Sequence, residues 1–247
     1  MLSQESSNVA EIRGGYEMIG IIGAMEEEVE ILKSLLTDLK TEERCGLSFV
    51  SGRLDGKDTV IVRSGIGKVN AGACTQMLLD HYPVDYVINT GIAGSLDAEI
   101  NIGDIVLSED AVQYDVDAVS FGYLLGEIPR VGTMAFEASD RLIAMAEEEN
   151  RKVNPDIRTF IGRVATGDRF VSDQETKDWI RQHFQGLCCE MEGAAIAQIA
   201  YLNKVPFLII RAISDKADGS AAVDYPAFEK KAIQHCTRLT RALVRRL

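Results

Sequence analysis

Two hydrophobic patterns alternate along most of the chain. Short apolar runs rich in Ile and Val, with the length of buried strands, recur at 18–24, 58–64, 84–92, 103–112, 159–165 and 205–213. Stretches with the apolar spacing of a helix separate several of these runs, at 25–39, 68–82, 138–152, 173–184 and 191–203, and a last one covers 225–246. Such alternation is typical of a parallel sheet covered by helices. We therefore predict an α/β fold with a mostly parallel central sheet.

One segment departs from this alternation. Residues 45–51 have the pattern of a further strand, and the sequence Leu54-Asp-Gly-Lys-Asp58 follows them. Asp-Gly is a strong signal for a tight turn between antiparallel strands. The predicted sheet is therefore mixed. Because no repeat, low-complexity tract or linker divides the chain after residue 17, we expect 18–247 to form a single domain.

The first 17 residues carry neither pattern. They are mostly polar, include Glu5 and Glu11, and lack the apolar segment of a secretory signal peptide. We expect residues 1–17 to form a disordered extension. Since no apolar run approaches the roughly 18 residues of a membrane-spanning helix, we expect no membrane contact.

Composition narrows the possible partners. Of the 247 residues 46% are hydrophobic and 26% charged, and the formal net charge is −12. Nucleic-acid binding needs clustered Lys and Arg, so this charge argues against it. The five cysteines are an odd number without a CxxC pair, which favours neither a disulfide framework nor a zinc site. We therefore expect a reduced, cytoplasmic setting.

Acidic residues directly follow three apolar runs. The first run leads into Glu-Glu-Glu28, the last ends in Ser-Asp215, and a short run before residue 190 leads into Glu-Met-Glu192. Acids are also favoured in the first turn of a helix, where they complement the helix dipole. In open parallel sheets, however, ligands bind beyond the carboxyl ends of the strands. The three strand ends therefore predict a cleft that gathers Glu28, Glu192 and Asp215.

Other catalytic motifs are incomplete. The sequence Ser64-Gly-Ile-Gly-Lys68 resembles a phosphate-binding loop, but Val62 and Val69 stand where that motif needs Gly and Ser or Thr. The same segment lacks the third glycine of a dinucleotide-binding loop, because Asn70 occupies that position. The three histidines form no HExxH pair, and no GxSxG sequence supports a serine hydrolase. We expect no metal and no cofactor.

A cleft of carboxylates without a metal suits a reaction with a cation-like transition state. Cleavage of an N-glycosidic bond is such a reaction, because it passes through an oxocarbenium-like sugar. One carboxylate can deprotonate the attacking water, and a second acid can protonate the leaving base. A third can hold the sugar hydroxyls by charge-assisted hydrogen bonds.

Seven motifs in order carry a resemblance to a known family: Gly23-Ala-Met-Glu-Glu-Glu28, Ser64-Gly-Ile-Gly-Lys68, Asn89-Thr-Gly91, Phe121-Gly-Tyr123, Gly167-Asp168, Glu190-Met-Glu192 and Arg211-Ala-Ile-Ser-Asp215. From Met18 to its C-terminus the chain resembles the 5′-methylthioadenosine/S-adenosylhomocysteine nucleosidases of the purine nucleoside phosphorylase family. The resemblance implies a three-layer α/β/α sandwich and a homodimer. It also implies irreversible hydrolysis of the adenine–ribose bond in both nucleosides.

The resemblance further implies roles for four polar residues. Glu28 corresponds to the acid that activates water, and Asp215 to the group that donates toward adenine N7. Because anionic adenine is a poor leaving group, Asp215 must hold or share a proton at neutral pH, through desolvation or anionic neighbours. Glu192 corresponds to the ligand of the ribose 2′- and 3′-hydroxyls. Arg211 is expected to be an ion-paired organiser of the acids.

Apolar residues around the substrate follow from the same resemblance. Phe170 is expected to stack on adenine, the Val171 backbone to pair with the adenine edge, and Met191 to lie beneath the ribose. The expected contacts to the 5′-thioalkyl group come from Met25, Ile66 and Tyr225, with Phe121, Tyr123 and Pro129 supplied by the partner subunit. For each apolar side chain taken singly, packing in the core explains its presence equally well.

One position departs from the family pattern. Where the family often carries a hydroxyl residue after Asn-Thr-Gly, this chain has Ile92. Any hydroxyl-mediated link to Asp215 or Glu28 must therefore be absent or replaced by water or backbone. Ile92 also enters the candidate pocket, which leaves the substrate preference open.

Three alternatives remain at this stage. A phosphorylase would use phosphate in place of water, although the acids at 26–28 would repel phosphate. A related nucleosidase would act on a futalosine-type or another 5′-modified nucleoside. A non-catalytic purine-binding protein would have no use for both Glu28 and Asp215.

Overall fold

A single sheet of ten strands organises the residues that the computed structural model describes, 17–217 and 220–247. The strands are β1 (Ile19–Gly23), β2 (Leu36–Arg44), β3 (Leu47–Leu54), β4 (Lys57–Arg63), β5 (Tyr86–Ser95), β6 (Ile105–Gln113), β7 (Ala135–Glu137), β8 (Thr159–Thr166), β9 (Cys188–Glu190) and β10 (Phe207–Asp215). The helices are α1 (Glu26–Ser34), α2 (Lys68–His81), α3 (Asp140–Val153), α4 (Gln174–Phe184), α5 (Gly193–Asn203) and α6 (Ala221–Arg246), with a 3-10 turn at Val119–Phe121. The predicted extension 1–17 lies outside the described residues, apart from Glu17.

The strand order is β10-β6-β8-β9-β5-β1-β4-β3-β2, and β7 pairs with β6. The pairs β1–β4, β1–β5, β5–β10, β6–β8 and β8–β9 are parallel, whereas the hairpin strands and the β6–β10 and β5–β9 pairs are antiparallel. Because β10 also pairs with β5, five of the strands close into a ring. The prediction of a mixed sheet within an α/β fold is confirmed.

Both faces of the sheet are covered by helices, because successive side chains of a strand point to opposite faces. In β10, Leu208 and Ile210 belong to a buried cluster with α1, α3 and α6. Phe207 and Ile209 belong to a second cluster with α2 and α5. The buried strands are therefore continuously apolar. This is the pattern that the sequence showed, and the three-layer arrangement is confirmed.

The first predicted helix is wrong in its extent. We predicted a helix over 25–39, but α1 ends at Ser34 and β2 begins at Leu36. In β2 only Leu36 is buried, so its exposed, charged side chains give no apolar run that would indicate a strand. The strand instead forms through pairing with β3 across a turn at Cys45 and Gly46, both with positive φ.

The Asp-Gly hairpin is confirmed. Asp55 and Gly56 join β3 to β4 with φ angles of 49° and 88°, the left-handed conformation that this dipeptide adopts readily.

In the part of the chain that the structure describes, no helix has the length and apolar content required to cross a bilayer.

Candidate active site

A cavity of about 360 Å³ opens where β1, β5, β9 and β10 end or run close together. Its volume lies within the roughly 300–1,000 Å³ that is typical of small-molecule sites. The lining residues are Ala24, Met25, Glu28, Ile66, Ile92, Ala93, Gly94, Phe170, Cys189, Glu190, Met191, Glu192, Ser214, Asp215 and Tyr225. The three acids that the sequence placed at strand ends, Glu28, Glu192 and Asp215, thus face one cavity.

Glu28 is held by main-chain donors. It lies in the first turn of α1 and is 6% exposed. Its Oε2 accepts the N–H groups of Ala24 and Met25 at 2.7 and 3.0 Å, and its Oε1 accepts the N–H of Ile92 at 3.1 Å. Burial raises the pKa of Glu28 above the ordinary carboxyl value, although Arg211 and the three N–H donors oppose the shift. The carboxyl is therefore fixed in orientation and binds a proton more readily than a solvated glutamate.

Space for this carboxylate exists because residue 91 is glycine. A Cβ built on Gly91 would overlap Glu28 Oε1 and lie 2.9 Å from its Cδ and 3.2 Å from Arg211 Nη1. The main chain of β5 can therefore pass directly against the acid. Any larger residue would displace the Glu28 side chain or the β5 backbone.

Arg211 lies behind the cavity wall in a buried ion pair. It is 2% exposed, and its Nη2 donates to Glu190 Oε2 at 2.6 Å and to Asn89 Oδ1 at 2.5 Å. Glu190 Oε2 also accepts the N–H groups of Glu192 and Gly193 at 3.1 and 2.7 Å. Burial lowers the pKa of Arg211, but the charges of Glu190 and Glu28 raise it by more than burial lowers it. The pKa is therefore above its ordinary value, and the guanidinium stays charged. Arg211 is not among the residues that line the cavity.

Glu192 directly precedes α5 and faces the same space. It is 6% exposed, and its Oε1 accepts the N–H of Gly67 at 2.7 Å. Gly67 has a φ of 94°, a left-handed conformation that glycine adopts without strain. Burial and then the charge of Glu190 raise the pKa of Glu192, against the lowering effects of the Gly67 N–H and of Arg211. Glu192 therefore takes up a proton at a higher pH than a solvated glutamate.

Asp215 ends β10 at an irregularity in its pairing with β5. It is 2% exposed, its Oδ2 accepts the hydroxyl of Ser214 at 2.8 Å, and its Oδ1 accepts the N–H of Ala217 at 2.8 Å. A Cβ built on Gly94 would lie 2.9 Å from Asp215 Oδ1. The Ser214 hydroxyl and the Ala217 N–H thus hold the carboxyl group in one orientation, and the absence of a side chain at Gly94 leaves room for it.

Aromatic and thioether side chains form the outer rim. Phe170 is 49% exposed and meets the Tyr225 ring edge-on, with the ring centroids 5.9 Å apart. The Tyr225 hydroxyl lies 3.4 Å from Met25 Sδ and donates to Glu229 Oε1 at 2.9 Å. This rim is apolar and open on one side, so it can receive a flat ring or an aliphatic group.

Five predicted site residues do not line the cavity of the single chain. Val171 is 4% exposed and packs in the core with α4, and Arg211 is buried as described. Phe121, Tyr123 and Pro129 belong to the segment between β6 and β7, where Phe121 is 84% exposed. Their contribution to a partner's site stays a prediction.

Sequence reasoning missed several residues of the site. Glu190 is the first acid of the Glu-Met-Glu motif. Nothing in the sequence indicates that Glu190, and not Glu192, forms the ion pair with Arg211. Ser214 borders Asp215 in the chain and Cys189 borders Glu190, but only the fold shows that both line the cavity. Among the described residues, no group of three or more His, Cys, Asp or Glu side chains is arranged to hold a metal ion.

Comparison with known proteins agrees with this geometry. The family model described as phosphorylase superfamily matches residues 18–245. The chain is 40% identical over 230 residues to the 5′-methylthioadenosine/S-adenosylhomocysteine nucleosidase of Bacillus subtilis (strain 168), which covers 93% of this chain and 99% of that protein.

Solved structures show the same similarity. The crystal structure of the corresponding nucleosidase from Neisseria meningitidis, in complex with methylthio-immucillin-A, matches with a TM-score of 0.90 at 36% identity, over 94% of this chain and 100% of that one. The futalosine hydrolase of Helicobacter pylori strain 26695 matches with a TM-score of 0.88 at 33% identity, over 94% and 98% of the two chains. The chain belongs to the phosphorylase superfamily and, within it, to the 5′-methylthioadenosine/S-adenosylhomocysteine nucleosidases, a family of hydrolases.

Proposed function

We propose that this enzyme hydrolyses the N-glycosidic bond of 5′-methylthioadenosine and S-adenosylhomocysteine, releasing adenine and the thio-substituted ribose. The observation that carries the proposal is the convergence of Glu28, Glu192 and Asp215, from three strand ends, on one cavity. The names of the relatives support the choice of substrates. Three separately held acids supply the three tasks that this reaction needs.

Glu28 is the proposed general base. Its two oxygens are fixed by three main-chain N–H groups, so that the carboxylate can hold a water in one orientation against the sugar. A base is most effective when its pKa approaches the working pH, and burial shifts the pKa of Glu28 in that direction. The water attacks the anomeric carbon as the bond to adenine breaks.

Asp215 is the proposed general acid toward adenine N7. Protonation lets adenine depart as a neutral molecule instead of an anion. The hydrogen bonds from Ser214 and from the Ala217 N–H hold the carboxyl in one rotamer. Proton transfer depends steeply on distance and direction, so a fixed rotamer favours it.

The other predicted site residues are proposed to bind and orient the nucleoside. Glu192 accepts hydrogen bonds from the ribose hydroxyls, and Phe170 stacks on adenine. The other proposed contacts come from Val171 at the adenine edge, Met191 beneath the ribose, and Met25, Ile66, Ile92 and Tyr225 around the 5′ group, with Phe121, Tyr123 and Pro129 supplied by the partner subunit. Arg211 keeps the acids in place through Glu190.

Two rival activities are less well supported. A phosphorylase needs cations at the sugar, but none of the described residues that line the cavity is Lys or Arg. The guanidinium of Arg211 is already engaged by Glu190 and Asn89. A futalosine-type nucleosidase shares the fold, and the solved futalosine hydrolase is the observation in its favour. A panel of 5′-modified nucleosides separates it from the main proposal.

We further propose that the enzyme acts as a homodimer in the cytoplasm, where the thioribose that it releases enters methionine salvage. Support for the dimer comes from exposed apolar side chains in one segment, Val119 (52%), Phe121 (84%) and Leu124 (67%). Sedimentation equilibrium should give twice the chain mass. A Phe121→Ser variant should dissociate more readily, and a monomeric wild type would contradict the proposal.

The activity is tested by incubating the enzyme with each nucleoside and identifying the products by mass spectrometry. We expect free adenine and the free thioribose at a rate that added phosphate does not change. A product carrying phosphate on the sugar would instead show a phosphorylase. Asp215→Asn should lower kcat by about 10²–10⁴-fold, because an amide cannot deliver a proton. Near-normal turnover in that variant would remove Asp215 from the mechanism.

A further inference from the structure

A buried lysine lies next to the proposed acid without touching the cavity. Lys177 is in the first turns of α4 and is 8% exposed. Its Nζ donates to the main-chain oxygen of Lys216 at 2.6 Å. Burying an ammonium group is costly unless it is hydrogen-bonded. The contact with Lys216 is therefore a specific one, made by a side chain that the proposed mechanism does not use.

The oxygen that Lys177 binds belongs to the peptide group that holds Asp215. The Lys216 C=O and the Ala217 N–H are the two ends of one planar peptide unit. That N–H donates to Asp215 Oδ1 at 2.8 Å. A continuous chain of hydrogen bonds thus runs from the Lys177 ammonium, through one peptide group, to the carboxyl of Asp215.

The turn that contains this peptide has an unfavourable backbone conformation. Ala217 has a φ of 50°, in the left-handed region that non-glycine residues rarely adopt. The side chain of Lys216 is anchored as well, since its Nζ donates to the Ile100 oxygen at 2.5 Å. Lys177 and Lys216 therefore hold the same turn from two sides, and of these two lysines Lys177 is the one that contacts the peptide oxygen.

A cation on a peptide oxygen also changes the other end of the group. Hydrogen bonds in series polarise one another, so an ammonium on the C=O makes the N–H a stronger donor. The α4 helix follows shortly after Phe170 and Val171, which are proposed to bind adenine. Lys177 thus links the start of α4, which follows the proposed adenine-binding residues, to the turn that holds Asp215.

We propose that Lys177 is a positioning residue for Asp215: it fixes the Lys216–Ala217 peptide, and that peptide directs the acid at the departing base. This inference rests on the proposed function of Asp215. The test substitution is Lys177→Met, which keeps an unbranched aliphatic stem and removes the donor. We expect kcat to fall about 10- to 100-fold, the effect of a misplaced catalytic group, while KM changes by less than roughly threefold.

A double-mutant cycle separates positioning from general damage. In an Asp215→Asn background, Lys177→Met should lower kcat by less than about twofold, because the group that it positions is already disabled. Lys177→Arg, which restores a cationic donor, should recover most of the lost kcat. Lys152→Met is the control for replacing a helical lysine as such, since the Lys152 side chain is 55% exposed and does not line the cavity, and its kcat should equal that of wild type.

The outcomes are distinguishable. An unchanged kcat in Lys177→Met, an equal loss in both backgrounds, or no recovery with Lys177→Arg would each overturn the positioning role. If Lys177→Met does not fold, Lys177→Leu, which also removes the donor, is measured by the same criteria. Full activity of Asp215→Asn alone would instead contradict the proposed function.

Discussion

Removing the guanidinium of Arg211 should destabilise the protein strongly. Arg211→Met keeps an apolar stem in the wall but leaves the Glu190 carboxylate, 8% exposed, without its cation. Breaking a buried pair by removing one partner costs about 3–5 kcal/mol, mostly the cost of the uncompensated charge. For a chain of this size each kcal/mol lowers Tm by about 2–4 °C. We therefore expect the Tm of Arg211→Met to fall by roughly 6–20 °C.

The assay is thermal unfolding for Tm and urea unfolding for the free energy of unfolding, both at pH 7 and followed by circular dichroism at one fixed protein concentration. The matched variant is the double substitution Arg211→Met with Glu190→Gln, which removes both charges. The glutamine oxygen can still accept the N–H groups of Glu192 and Gly193. Since replacing a whole buried ion pair is often neutral, the double variant should regain most of the lost stability.

Two results would refute this account of the ion pair. One is a destabilisation of Arg211→Met below about 1 kcal/mol, the range of an exposed pair. The other is a double variant that is as unstable as the single one, because the loss would then come from packing and not from charge. Turnover should remain low in both variants, since Glu28 loses its cationic neighbour in each.

Three further predictions concern the acids. Gly91→Ala should lower kcat about 100-fold, because the new Cβ displaces the Glu28 carboxylate by about 1 Å; a wild-type initial rate would contradict the close contact. Glu28→Gln should leave KM nearly unchanged while kcat falls by about 10²–10⁴-fold, whereas a variant that mainly raised KM would indicate a ligand-holding role. The raised pKa of Glu192 means that the folded protein holds more protons than the unfolded chain above the ordinary value of 4.5, so this group's contribution to the free energy of unfolding falls as pH rises. Glu192→Gln should therefore gain stability relative to wild type between about pH 5 and 8 in urea titrations, and a difference that does not vary with pH would contradict this.

Much of the fold was readable from the sequence because its main strands are buried on both faces. Their apolar runs, such as 205–213 for β10, lie within about three residues of the observed bounds. The exceptions are strands whose existence depends on a partner. β2 is exposed and charged, and it forms only by pairing with β3. β7 has three residues, too few for a period to show. β9 is equally short, and the sequence indicated it only through the apolar run before residue 190.

The candidate site divides in the same way. The positions of Glu28 and Asp215 followed from acids at strand ends, because β1, β5 and β10 are mutually parallel and their ends meet at one edge. Glu192 joins them although β9, the strand before it, runs antiparallel to β5. Contacts made by the main chain could not be predicted, since a peptide N–H has no signature in the sequence. The Ile92 N–H that binds Glu28 is one example, and the Ala217 N–H on Asp215 is another.

The Ile92 N–H has a consequence for how this enzyme can change. Every amino acid except proline supplies a main-chain N–H, so the hold on Glu28 does not depend on which side chain stands at residue 92. The side chain meanwhile borders the cavity and sets part of its width. Evolution or an engineer can therefore alter the range of accepted nucleosides at this position while the catalytic apparatus stays intact.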